Sequence, residues 1–307
     1  MQASLRGRMV VLVTMVLVVI VAVGCGAWTR LNAPFSNGGL IPKSVDDAAL
    51  PANPQLAAAV KQGAAIFANT PANAPRYAGP AMSCTNCHID NGQAYRGFPV
   101  AGVAAVYPTY DSRSNVLVDL AGRVTSCFVR SLNGSAPPAN APELLAVVAY
   151  LAWLSEGQPV GQSPAWRDGG QIQPIDRIAI DKLDPKAGEQ LFLQKCAECH
   201  GSSGQGQSAS GALPAAPALW GDRSFNDGAG LGQVYTLATF IKNKMPANAP
   251  GSINLTEAQN LAAYLDSQPR PVFAGKAQDY IGGVVPVDAV YYPQRYPNNP
   301  LSGRPNR

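Results

Sequence analysis

At 307 residues, with 47% apolar and only 14% charged, the chain has the length of about two domains and too much apolar content for disorder. Its 23 basic and 19 acidic residues leave a net charge of +4, too small a basic excess to neutralise a polyphosphate, so no nucleic acid is expected as a partner. Thirty glycines and 27 prolines predict long irregular connections between a modest number of helices.

The chain opens with Arg6 and Arg8, followed by an almost unbroken apolar run from Met9 to Val23. Residues 1–28 read as an export signal or a membrane anchor. The run approaches the roughly 20 residues of a bilayer span, and the arginines favour a cytoplasmic N-terminus, which puts the remainder in the periplasm. Ala22-Val23-Gly24-Cys25 loosely resembles a lipoprotein processing site, so Cys25 offers a second means of attachment. The alternative is a cleaved signal that leaves a soluble periplasmic protein.

Residues 29–53, rich in Asn, Gly and Pro, read as a tether. Two globular stretches follow, 54–157 and 184–268, separated by a Gly-, Gln- and Pro-rich linker at 158–183, and an irregular extension closes the chain at 269–307. The two stretches repeat one another. Gly63-Ala64-Ala65-Ile66-Phe67 matches Gly188-Glu189-Gln190-Leu191-Phe192, and each precedes a Cys-x-x-Cys-His sequence. Each stretch also ends in a helical pattern, Glu143 to Ser155 and Thr256 to Ser267, with Ala-Tyr-Leu inside both; Thr256 and Gln259 suggest a capping box for the second. Duplication of one small helical domain explains the pattern, and the extension is expected to wrap the surface.

Cys84-Thr85-Asn86-Cys87-His88 and Cys196-Ala197-Glu198-Cys199-His200 are the chemical core of the sequence. Two cysteines one helical turn apart suit thioether bonds to the two vinyl groups of a heme, and the adjoining histidine then falls under the iron. A thioredoxin-like pair would need a βαβ setting, and a zinc site has no need of a histidine after both pairs. The reading is two covalent hemes c, held by Cys84, Cys87, Cys196 and Cys199, with His88 and His200 as proximal ligands.

These are the only two histidines, so neither distal ligand is a histidine. Methionine is the usual substitute, and beyond the N-terminal segment the chain has only Met82 and Met245. Met82 lies too close to Cys84 to reach the far face of its own heme. Met245 lies between the second motif and the closing helix and is assigned to the second heme. Lys244 beside it is a competing ligand when deprotonated, against the plain reading of a solvated lysine. In the first stretch the matching place holds Cys127. An inert buried thiol is the alternative there. A thiolate ligand lowers the potential of its heme and suits catalysis better than simple electron carriage.

If the segment around Cys127 is helical, Arg123, Cys127 and Ser131 share one face, and Arg113 and Arg130 lie nearby in sequence. Guanidinium groups favour a thiolate and create a site for a small dianion, unless they form a solvated basic face.

The segment from Arg123 to Gly134 resembles the Cys-Phe-x-Arg-Ser-x-Asn-Gly segment of the diheme, tetrathionate-forming thiosulfate dehydrogenases. Lys244-Met245-Pro246 resembles that family's second-heme segment, and Arg270-Pro271 with Pro286-Val287-Asp288 its C-terminal pattern. The resemblance implies an all-α protein of two tandem cytochrome-c-like domains; the N-terminal apolar helix departs from the family's pattern and suggests tethering beside a membrane electron acceptor. The resemblance also implies that Cys127 is both distal ligand and catalytic sulfur, that Arg113, Arg123 and Ser131 line the substrate pocket, and that Arg130 supports it. Two thiosulfates would be oxidised to tetrathionate, reversibly, with electrons leaving through the second heme to a small cytochrome c or a membrane redox partner. The rivals are a membrane-tethered diheme electron shuttle without substrate chemistry and another sulfur-handling enzyme acting on a carrier-bound substrate.

Overall fold

A computed structural model describes residues 42–46, 50–79, 81–167, 170–208 and 215–292. The expected apolar N-terminal helix, with Cys25, lies outside the described residues. Among the described residues no helix is long and apolar enough to cross a membrane.

The first half is built on helices α1 (Pro54–Ala68), α2 (Leu120–Arg130) and α3 (Pro142–Leu154). The second uses α4 (Pro185–Lys195), α5 (Val234–Lys244) and α6 (Leu255–Leu265). Local chemistry sets most of the starts. Asn53, Asp119 and Asp184 accept the first free N–H groups of α1, α2 and α4, and Pro54 and Pro185 begin their helices where a missing N–H costs nothing. The cap of α6 differs from the expected Thr256 and Gln259. It is Asn254 with Glu257, each side chain bonding the other residue's backbone N–H at 2.9 Å. Gln259 is instead fully buried, taking the N–H of Ile178 at 2.8 Å and so tying the interdomain linker to α6.

The repeat seen in the sequence is a packing device. A Cβ placed on Gly63 would stand 2.0 Å from the carbonyl oxygen of Ala146 on α3, and one on Gly188 would stand 2.1 Å from that of Asn260 on α6. Only glycine allows the opening and closing helices of each half to cross so closely. Four residues on, Phe67 meets Tyr150 and Phe192 meets Tyr264, both with ring centroids 5.6 Å apart. Ile66 and Val60 are fully buried around the first crossing, each contributing about 1.5–3 kcal/mol by leaving water.

One feature departs from the expected all-α architecture, and another adds buried anchors to the expected surface-wrapping tail. Residues Thr109–Asp111 (β1) and Val116–Val118 (β2) form an antiparallel hairpin just before α2, with Asn115 left-handed in its turn. Asp111 Oδ2 accepts from the N–H and hydroxyl of Ser114, and this side-chain turn makes so short a hairpin viable. The described part of the extension, residues 269–292, runs partly over the surface but is anchored by buried side chains. Arg270, Asp279, Val290 and Tyr292 are buried, and Asp288 caps α5 from outside by accepting the N–H of Tyr235 at 3.1 Å. The cap is needed because Gln233, at the helix start, provides no side-chain cap itself.

Candidate functional site

Each heme-attachment motif forms a tight turn in which the histidine N–H donates to the first cysteine's carbonyl, at 3.0 Å in both halves. The histidines are oriented alike. His88 Nδ1 lies 2.6 Å from the Phe98 carbonyl and His200 Nδ1 lies 2.8 Å from that of Pro217. A carbonyl only accepts, so Nδ1 carries the proton and Nε2 is left with its lone pair for a metal. Burial lowers the pKa of both imidazoles, which favours the neutral form that ligation requires. No disulfide joins the four attachment cysteines, and before any bond to a cofactor burial pushes the thiols of Cys84 and Cys87 up to about 12 and that of Cys196 up to about 11. Paired thiols with an oriented histidine in each half fit heme c, held by Cys84, Cys87 and His88 and by Cys196, Cys199 and His200.

Cys127, the expected distal ligand of the first heme, lies near the first attachment motif. It is close enough to Cys84 and Cys87 for its charge to act on both thiols. Helix α2 carries it, and the N–H of Ser131 bonds its carbonyl one turn later, so Arg123, Cys127 and Ser131 share a face as the spacing predicted. The interaction with Cys127, ahead of those with Tyr107 and Asp111, strengthens Arg123 as a cation.

A cavity of about 300 Å³ collects every expected pocket residue: Arg113, Arg123, Cys127, Arg130 and Ser131. Arg113 is fixed by donating from Nη1 to the Gly228 carbonyl at 2.5 Å and from Nε to the Tyr280 hydroxyl at 3.2 Å. Arg130 is held in a two-pronged ion pair with Asp279, at 2.6 and 2.7 Å, and stacks over Phe273 at 3.9 Å. It is thus a wall of the cavity, with its charge already matched. The cavity is completed by Gln233 from the start of α5 and Tyr280 from the extension. Neither stood out in the sequence, because a lone Gln or Tyr far from any motif carries no spacing signal.

At the second site the adjacent residues Lys244 and Met245 have different surroundings. Met245 packs against the second core, as does Cys196. Lys244 lies beside the first half, its Cε 2.9 Å from where a Gly97 Cβ would be. Burial there lowers its pKa, opposed by Asp90 and aided by Arg96. Met82 is buried in the first core. Between the two sites Phe98, whose carbonyl holds His88, stacks on Phe240 of α5 at 5.8 Å.

The SoxA/TsdA cytochrome c domain family matches residues 72–160, and the subunit III family of cbb3-type cytochrome c oxidase matches residues 183–265. The thiosulfate dehydrogenase of Psychrobacter arcticus is 37% identical over 246 residues, covering 80% of this chain and 73% of its own. That of Allochromatium vinosum is 35% identical over 235 residues, covering 75% and 85% respectively. Among solved structures, the thiosulfate dehydrogenase (TsdBA) of Marichromatium purpuratum in its as-isolated form superposes with a TM-score of 0.67 at 33% identity over 75% of this chain; the match spans 49% of that longer chain. Two cytochrome c domains in tandem, matched at this level along most of the length of the relatives, show that the chain belongs to the thiosulfate dehydrogenase family of cytochrome c oxidoreductases.

Proposed function

We propose that this chain oxidises two thiosulfates to tetrathionate at Cys127, in the periplasm, and delivers the electrons through its second half to a small cytochrome c or a membrane redox partner. The observation that carries this reading is the convergence of Cys127, three arginines and Ser131 on one cavity, with Cys127 close to the first attachment motif. In the relatives' names thiosulfate is the substrate, and its size, dianionic charge and acceptor oxygens suit a cavity of this volume lined by cations.

His88 and Cys127 would hold the first heme, and His200 and Met245 the second, with Lys244 as the competing ligand. When bound, the two hemes supply one-electron acceptors. Arg113 and Arg123 attract the dianion. A bond forms between Cys127 Sγ and the terminal sulfur of one thiosulfate, and two electrons leave. The terminal sulfur of a second thiosulfate then attacks that sulfur. The bond to Cys127 breaks, tetrathionate departs with the new S–S bond, and the thiolate is restored with no net proton transfer. Run backwards, the same steps reduce tetrathionate.

Holoprotein supplied with thiosulfate and ferricyanide is expected to form one tetrathionate for every two thiosulfates and two ferricyanides consumed. Ferricyanide consumption without tetrathionate would point to another sulfur chemistry. No consumption at all would leave the diheme shuttle as the function.

A further inference from the structure

The residues that complete the cavity from outside the motifs are arranged for binding. Tyr280 is buried and holds a φ of +62°, a region that a bulky side chain occupies only when its surroundings fix it. They do so at two points. Its N–H donates to the Arg113 carbonyl at 2.6 Å, and its ring stands edge-on to Tyr292 with centroids 5.1 Å apart. The hydroxyl is fixed as well, because its oxygen accepts from Arg113 Nε at 3.2 Å and from Gln233 Nε2 at 3.1 Å.

A phenol oxygen has two lone pairs and one proton to share. Here both lone pairs receive N–H donors, so the hydroxyl has only its proton left to use. Among the described residues no acceptor takes it, and the residue lines the cavity. The carboxylate on the same wall, Asp111, accepts instead from Ser114 within the hairpin. A buried hydroxyl with an unused proton is satisfied by an incoming group that only accepts hydrogen bonds, which is what a sulfonate offers.

We propose that Tyr280 is a further substrate-binding residue, its hydroxyl donating a hydrogen bond to a sulfonate oxygen of the dianion beside Cys127 while Arg113 and Gln233 fix its direction. This rests on the function proposed above. It also makes the site composite, with the sulfur chemistry in the first half and substrate binding shared by α5 and the C-terminal extension.

The test is Tyr280→Phe in the two-heme holoprotein, which keeps the ring and backbone and removes only the hydroxyl. A hydrogen bond to a charged group has a typical worth that predicts a loss of about tenfold in kcat/KM for thiosulfate. Because the hydroxyl also orients Arg113, the substitution is repeated in an Arg113→Ala background. A direct contact predicts a further loss there of at least about threefold, and no further loss would reduce Tyr280 to a support for Arg113 and overturn the proposal. Binding of sulfate, an unreactive dianion, is followed through the spectrum of the cysteine-ligated heme and does not depend on turnover; its midpoint should rise about tenfold in Tyr280→Phe. Equal midpoints in parent and variant, or no sulfate response in either, overturn the proposal. Failure of the parent to oxidise thiosulfate overturns the function instead and leaves the sulfate measurement to decide on Tyr280. If Tyr280→Phe loses heme, Gln233→Leu, which releases the hydroxyl without removing it, should weaken sulfate binding by about threefold, and an unchanged midpoint overturns the proposal.

Discussion

Lys244 and Met245 are neighbours in sequence with different surroundings, one beside Gly97 of the first half and one against the second core. We expect the two to compete for the second iron, with Lys244 drawn from its place beside Gly97 when it binds. The incentive to leave is chemical: ferric iron accepts a hard amine, and ferrous iron prefers the softer thioether. The oxidised protein should accordingly show a weak methionine-to-ferric-iron band in the far red, and Lys244→Ala should bring that band to full intensity. Full intensity in the oxidised parent, unaltered by the substitution, would assign the iron to Met245 alone. Cys127, which lines the cavity, stood out in the sequence because the supply of histidines and methionines ran out. Tyr280 was not, since it lies 167 residues from the arginine it contacts and no local pattern connects them.

At the scale of elements, the repeated Gly-x-x-x-Phe is the contact that makes each half a domain. Gly63→Ala has two opposing effects. Helix propensity favours alanine over glycine by about 0.8–1.0 kcal/mol. Against this, the new Cβ would lie 2.0 Å from the Ala146 carbonyl and 2.7 Å from Tyr150 Cβ, so α1 and α3 must separate along their buried seam. Overpacking of this kind typically costs 1–3 kcal/mol, about as much as a buried methyl or two gains, and separation of two backbones belongs at the upper end. The net expectation is a lower thermal midpoint with covalent heme retained, measured by circular dichroism. A midpoint at or above that of the parent would mean that the helices do not cross at Gly63. The repeat was readable from sequence because it is local and occurs twice. The hairpin before α2 was not, because its two strands have three residues each and present no alternation long enough to distinguish from a loop. The cap of α6 was misplaced for a related reason: Asn254 and Thr256 are both good caps, and only the packing of Gln259 against the linker decides between them.

In the whole molecule, the C-terminal extension ties the two halves together, and one ion pair holds it to the active-site helix. Arg130, at the end of α2, meets Asp279 with both prongs, and the Asp279 carboxylate also accepts the Tyr292 hydroxyl at 2.5 Å. The Asp279 side chain is 2% exposed and that of Arg130 12%, so water has little part in compensating either charge. Removing one partner of such a pair costs about 3–5 kcal/mol, because the other is left buried without its counter-charge. Asp279→Asn keeps the shape and removes only the charge. Its consequences should be unequal along the chain. Arg270 anchors the start of the extension independently, bonding Asp266, Tyr291 and the Leu219 carbonyl, so the second half should stay folded with its heme attached. Beyond it, Tyr280 should lose its fixed place over the cavity, and the exposed stretch around Ile281 and Val284 should become open to protease. The expected result is intact heme content, faster cleavage near residue 281 and a fall of at least about tenfold in kcat/KM for thiosulfate, since both the Tyr280 contact and the Arg130 wall depend on this pair. A double variant, Arg130→Met with Asp279→Leu, separates the two roles of the pair. Replacing both charges with apolar side chains should recover most of the resistance to protease, because no buried charge is then stranded, while turnover recovers only as far as Tyr280 returns to its place. If Asp279→Asn shows the parent's cleavage pattern and turnover, the extension is held by other contacts and the ion pair is not what closes the site.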